Sequence, residues 1–293
     1  MLYGQRLRLL PNSPDSSTLF RVTSNVITSQ VAGAILQGMY PHAQNTGVLQ
    51  QYPTIDSLQP SYSCPAADAI RSSILEEPQW KEHIERSKPF FAKLDRLSGV
   101  DPTDSGWHVS WDHYFDAISS RMCHQMPLPC KVGDPSVCIT KDDAEKVLRL
   151  GQWEYAYLWR GSKRSLAYSS LKFGVFLNEL IGHIRAIVDG DESVKYRHNV
   201  AHDGSISMFL SALQVDEMVW PGMGAELVVE IWAEKGRAGK QGKRIRVLWG
   251  GKVLKSSNPD LGEIDMISAE KFENYLESLI GKGAREVIKQ CGY

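Results

Sequence analysis

The chain has 293 residues, with 33 Lys and Arg against 34 Asp and Glu for a formal net charge of −1, and 42% of its side chains are hydrophobic. That length can bury a large core as one big domain or two modest ones, while the near balance of charge argues against polyanion binding, so no nucleic-acid partner is expected. No apolar run is long enough to cross a bilayer.

A short strand is predicted at 19–23 and a helix at 25–39, rich in Ala and Gly, which stops at Gly38 with Pro41 just beyond. The small residues of that helix suit close packing on a sheet. Residues 42–75 are polar and turn-rich, with Pro53, Pro60 and Pro65, and read as an irregular connection. Pro78 opens a helix carrying Trp80, Ile84, Phe91 and Leu94, which Pro89 is expected to break or kink. Trp111, Phe115, Ile118 and Met122 fall at helical spacing, and Thr140 with Asp143 makes a cap-like start for a helix running to Trp159. Phe173, Leu177, Leu180, Ile181, Ile184 and Val188 then follow one face of a long amphipathic helix.

Beyond that helix an apolar strand through Tyr196, Val200 and Ala201 meets His202-Asp203, and Gly204-Ser205 opens a segment with Ile206, Phe209, Leu210 and Leu213 at helical spacing. In open α/β sheets the carboxyl ends of the strands form the ligand crevice, and the unpaired amides of the next helix favour an anion. A phosphate ester is the natural ligand for such a place. Asp203 also suits an N-cap. Period-two alternation over Leu227–Ile231 and Ile245–Trp249 reads as a hairpin, joined by the basic, glycine-rich segment KGRAGKQGKR as an exposed mobile turn. Glu226, Val228 and Glu230 share one strand face, read as solvated. Ser268 caps a final helix using Phe272, Leu276, Leu279 and Ile280.

Cys64, Cys123, Cys130, Cys138 and Cys291 form no paired C-x-x-C pattern, so no metal is expected. Cys123-His124, with His108 and His113 upstream, sits in a helical pattern. An odd count leaves at least one thiol unpaired within a single chain, and one or two disulfides among Cys64, Cys123, Cys130 and Cys138 stay open.

The segment AHDGSIS followed by WPGMGAELVVEIW resembles the His-Asp motif and following strand of the histidine acid phosphatases, branch two of the histidine phosphatase superfamily. LFRVTSNVITSQVAGAILQGMYP, Leu19 to Pro41, is similar to the family's R-S-T strand, helix and G-L-F/Y-P turn, and RIRVLWGGKVLKSS, Arg244 to Ser257, to its late strand. Within the family the chain looks most like the lysophosphatidic-acid-phosphatase-like and fungal acid phosphatases. The resemblance implies an α/β, phosphoglycerate-mutase-like sheet core with helices on both faces and a helical cap. It would form a single domain over 1–293, with its core at 1–41 and 190–293 and the cap insertion at about 42–189.

The activity so implied is phosphomonoester hydrolysis through a phosphohistidine. Such chemistry needs a nucleophilic histidine, cationic donors for the phosphate oxygens, and an acid that protonates the departing alkoxide. Arg21 matches the family's phosphate-binding arginine, His202 its phosphate-contacting histidine, and Asp203 its general acid. No cofactor is implied, the ligand is a phosphate monoester or inorganic phosphate, and a homo-oligomer stays open. The family's R-H-G-x-R-x-P nucleophile motif has no match here, and MLYGQRLRLLP is similar to a helix that ordinarily lies some tens of residues after it. The expectation is therefore an absent N-terminal segment, including the first core strand and any leader, and a chain inactive alone; localisation stays open.

Arg197-His198 is the one Arg-His dipeptide and reads as an ordinary strand pair, and His42 is a weaker candidate for reaching substrate. Val22, Ser24-Asn25 and Ile27 depart from the family's pattern around Arg21. The alternative reading is a non-catalytic pseudophosphatase that binds phosphorylated ligands or a protein partner through Arg21 and His202.

Overall fold

The computed structural model describes residues 2–43, 46–236 and 242–293, so the centre of the predicted basic turn, 237–241, lies outside the described residues. β1 (Thr18–Val22) leads into α1 (Val26–Met39), whose N-cap Asn25 accepts a hydrogen bond from the Ile27 amide. Of the small residues of α1, Ala32 packs on the sheet against Val22 and Val200 as expected, and the glycines do not. Gly33 and Gly38 face open space, and the buried contact is made by Thr28, Ala32 and Leu36. After β2 (Leu49–Gln50), the predicted connection contains a helix, α2 (Pro65–Leu75). Pro65 is its first residue, where a missing N–H costs nothing and the fixed φ suits the helix.

α3 (Pro78–Ser98) runs through Pro89 without ending. Phe90, Phe91 and Leu94, immediately past the proline, are buried in a common core, and that packing outweighs the lost hydrogen bond. Then come α4 (Ser105–His108), α5 (Asp112–Cys123) and the hairpin of β3 (Cys130–Lys131) and β4 (Asp134–Cys138). α6 (Lys141–Ala156) starts in a complete capping box, with Thr140 and Asp143 bonding each other's amides, and gives way before Trp159 to a π-helical turn, Tyr157–Gly161. α7 (Ser165–Asp189) buries Phe173, Leu177, Ile181, Ile184 and Val188 as their spacing predicts.

β5 (Tyr196–Val200), α8 (Asp203–Ala212), β6 (Leu227–Ala233) and β7 (Lys243–Trp249) follow in the expected order. The chain continues through β8 (Lys252–Val253), β9 (Ile267–Ser268) and α9 (Ala269–Ile280), capped by Ser268, and then adds an unforeseen short helix, α10 (Arg285–Cys291). No described helix is long and apolar enough to cross a membrane.

Two compact units emerge: residues 1–68, 166–216 and 221–293 form one, and 69–165 with 217–220 the other. In the larger unit β2, β1 and β5 make a parallel sheet in that order, with Phe20 opposite His198 and Val22 opposite Val200. Phe20 and Val22 pack with Leu36, Tyr40 and Ala32, so α1 covers that face. β6 and β7 pair antiparallel from Leu227 opposite Trp249 to Ala233 opposite Lys243. Glu230 on β6 is not solvated as its strand face suggested. It is 8% exposed, accepting hydrogen bonds from Arg246 Nε at 2.6 Å, Trp232 Nε1 at 3.0 Å and the Tyr3 hydroxyl at 2.5 Å. A disulfide joins Cys64 to Cys291, a partner the sequence had not suggested.

The smaller unit is helical around Phe90, Phe91, Leu94, Trp111, Ile118 and Val147. One buried carboxylate ties three of its helices. Glu154 of α6 meets His83 Nε2 of α3 at 2.8 Å and accepts the Trp111 amide, at the start of α5, at 2.7 Å. His108 lies 3.1 Å from Asp95. Cys130–Cys138 closes the small hairpin, and Cys123 is an exposed free thiol.

Candidate functional site

Because β1 and β5 run parallel and in register, both end at the same sheet edge, and α1 and α8 both begin there. Two helix N-termini therefore converge on the place where the sequence put its anion site. Thr23, fully buried just past β1, joins the two segments: its Oγ1 lies 3.1 Å from His202 Nε2 and 3.1 Å from Thr28 Oγ1.

The N-cap of α8 is His202, not Asp203. His202 has the extended backbone of a cap, and its carbonyl accepts the Ser205 amide at 3.0 Å. Asp203 is the first helical residue, and its Oδ1 accepts the Gly204 amide at 2.7 Å. A carboxylate in the first turn is favoured by the helix dipole.

Arg21 lies on the opposite face of β1 from Phe20 and Val22, by strand alternation. Its side chain is 11% exposed and closely held. Nη1 donates to Glu179 Oε2 of α7 at 2.8 Å, and Nη2 to Ser57 Oγ at 2.7 Å, to Gln51 Oε1, and to Asp56 Oδ1 at 3.4 Å. Asp56 is 1% exposed, and the same Oδ1 accepts the Leu58 amide at 2.9 Å. Arg21 Nε and Asp56 Oδ2 are buried with no hydrogen-bond partner among the described residues. Arg21 thus shares the edge with His202 through Thr23, two residues on, while its donors point into a polar cluster.

The other histidines lie elsewhere. His198 stacks on Phe20, on the face opposite Arg21, with Nδ1 2.7 Å from the Tyr196 hydroxyl; burial holds its imidazole below the usual range. His42 is exposed beyond the far end of the 14-residue α1, about 20 Å from the edge where that helix starts. A cavity of about 410 Å³ lined by Ser13, Asp15, Thr18 and Phe20 opens at the amino end of β1 and contains none of the candidate residues.

Gln51, Asp56, Ser57 and Glu179 escaped the sequence reading. Glu179 did leave a signal, as the one acidic residue in the apolar stretch Phe173–Ile184. The first three lay in a segment read as bare connection.

An arginine, an imidazole, a carboxylate and two helix N-termini thus lie at one edge of a parallel sheet, an arrangement whose chemistry can hold an anion. No family model matches the chain. It is similar to counting factor 60 of Dictyostelium discoideum, 24% identical over 80% of this chain and 55% of that protein, and to human 2-phosphoxylose phosphatase 1, 25% identical over 85% and 51%. Human prostatic acid phosphatase is 25% identical over 60% of this chain and 43% of its own length. Among solved structures, the phytase of Klebsiella sp ASR1 superposes with a TM-score of 0.67 at 16% identity, covering 96% of this chain and 81% of the phytase. The chain is therefore a low-identity homologue of acid phosphatases over most of its length and has the fold of the phytases. It spans about half the length of the curated relatives it matches.

Proposed function

We propose that this chain is the phosphate-holding part of a histidine acid phosphatase of branch two. Arg21 and His202 hold the phosphoryl group of a monoester, and Asp203 protonates the leaving alkoxide. The observation that carries the reading is the Thr23–His202 contact, which draws the carboxyl ends of β1 and β5 together beside two helix N-termini. In complete members a histidine of R-H-G-x-R-x-P attacks phosphorus, the ester oxygen leaves with the proton of the acid, and water then hydrolyses the phosphohistidine. None of the 293 residues matches that motif. On this reading the chain is one histidine-phosphatase-like domain, core 1–41 and 190–293 with a helical cap at about 42–189, whose first core strand lies outside the sequence in hand. The outer edges of β5 and β6, which carry no strand partner among the described residues, support that.

A second reading, a pseudophosphatase that binds phosphorylated ligands or a protein partner without turnover, is favoured by His198. Its seat between Phe20 and Tyr196 leaves it unsuited to replace the nucleophile. The test is p-nitrophenyl phosphate hydrolysis by the purified chain, with background turnover expected. Turnover abolished by Asp203→Ala would show that this chain supplies its own nucleophile and would sink the account of its chemistry given above.

A further inference from the structure

We propose that Glu179 is an exchangeable internal anion on Arg21, and that an oxyanion ligand enters the candidate site by taking Nη1 from it. The proposal rests on reading Arg21 as the phosphate-side cation. The guanidinium is already spoken for, with Nη1 on Glu179 at 2.8 Å and Nη2 on Gln51, Ser57 and Asp56. One arginine against Asp56 and Glu179 leaves a formal charge of −1, and a phosphate gains little from a cation that is overcompensated. One carboxylate must yield.

Burial decides which. Asp56 is 1% exposed and anchored to the Leu58 amide, whereas the Glu179 side chain is 25% exposed on the surface of α7. Glu179 pairs with Arg21 on β1, whose other anion is Asp56, and acts with Arg197 of β5 and Glu192 on His183, one turn further along α7. His183 offers Glu179 no standing cation: burial first, then Arg197, holds its imidazole below the usual range against the pull of Glu179 and Glu192. Arg197 is held by Glu192. Released from Arg21, Glu179 moves toward water, and neutralising it opens Nη1.

Sulfate, a phosphate-like anion, is the probe for calorimetric titration of wild type, Glu179→Gln and Arg21→Gln. The titrations run at about pH 7, where a carboxylate is ionised. Glu179→Gln is expected to bind sulfate about tenfold more tightly than wild type, the effect of removing one like charge a few ångströms from the anion under partial screening. Equal or weaker binding by the variant overturns the proposal and makes Glu179 a residue that positions Arg21. Should that variant fail to fold, Glu179→Ser takes its place, and equal or weaker binding by it overturns the proposal as well. If wild type and Glu179→Gln both fail to bind sulfate, and Arg21→Gln is no different, the reading of Arg21 falls and takes this proposal with it.

Discussion

Replacing Glu154 tests how the helical unit is held. Its carboxylate is 4% exposed and serves His83 on α3 and the amide of Trp111 at the start of α5, while Trp111 Nε1 donates to Ser87 at 3.0 Å. Glu154→Ala leaves the Trp111 N–H and the His83 ring without their partner and opens a void, a loss of about 3–5 kcal/mol. Glu154→Gln keeps an acceptor for the Trp111 N–H and fills the same space, so it costs less, about 1 kcal/mol. Burial raises the Glu154 carboxyl above the usual range, and Asp112 adds to it, against the opposing hydrogen bonds from His83 and Trp111. The folded state therefore binds this proton more tightly than the unfolded chain. The stabilisation is complete below the ordinary glutamate value of about 4.3 and is lost as pH rises through the higher folded value. Glutamine mimics the protonated form, so the stability difference should shift toward the variant between about pH 4 and pH 7. Denaturant titration followed by tryptophan fluorescence reads this unit, because Trp80, Trp107, Trp111, Trp153, Trp159 and Trp220 all lie in it. Wild type gaining stability over Glu154→Gln across that range would refute the reasoning.

The disulfides are expected to contribute unequally. Loop-closure entropy assigns about 5 kcal/mol to Cys64–Cys291, 227 residues apart, and about 2.5 kcal/mol to Cys130–Cys138, 8 apart, and the paired Cys→Ser variants in urea measure both. A larger loss from the short loop would contradict that ranking. Gly151→Ala places a methyl 2.5 Å from Phe115 and 3.1 Å from Trp220, rings stacked at 3.7 Å with Tyr155 against the far side of Trp220. Overpacking of about 1–3 kcal/mol outweighs the roughly 1 kcal/mol gain in helix propensity, so the melting temperature should fall; a rise would show that the stack yields.

Much of this architecture was legible in the sequence because it is local. The Thr140–Asp143 box, the apolar stripe of α7, the β6–β7 alternation and the placement of His202-Asp203 between strand and helix all involve residues a few positions apart. Missed features depend on distant partners. Arg21 meets Gln51, Asp56 and Ser57 across 30, 35 and 36 residues, and Glu179 across 158. Strand alternation assigned Glu230 a face but not what covers it, which is Arg246, Trp232 and Tyr3. Pro65 was ambiguous between turn and helix start, and the packing of Phe90 and Phe91 overrode the local effect of Pro89.

The central claim is that Arg21 and His202 form one phosphate site. Titrating inorganic phosphate into wild type, Arg21→Gln and His202→Gln, each checked for native melting, tests it directly. The account predicts saturable binding by wild type that weakens at least about tenfold in each variant, the loss of one charge-assisted hydrogen bond. Wild type that does not bind phosphate, or variants that bind it unchanged, would contradict it.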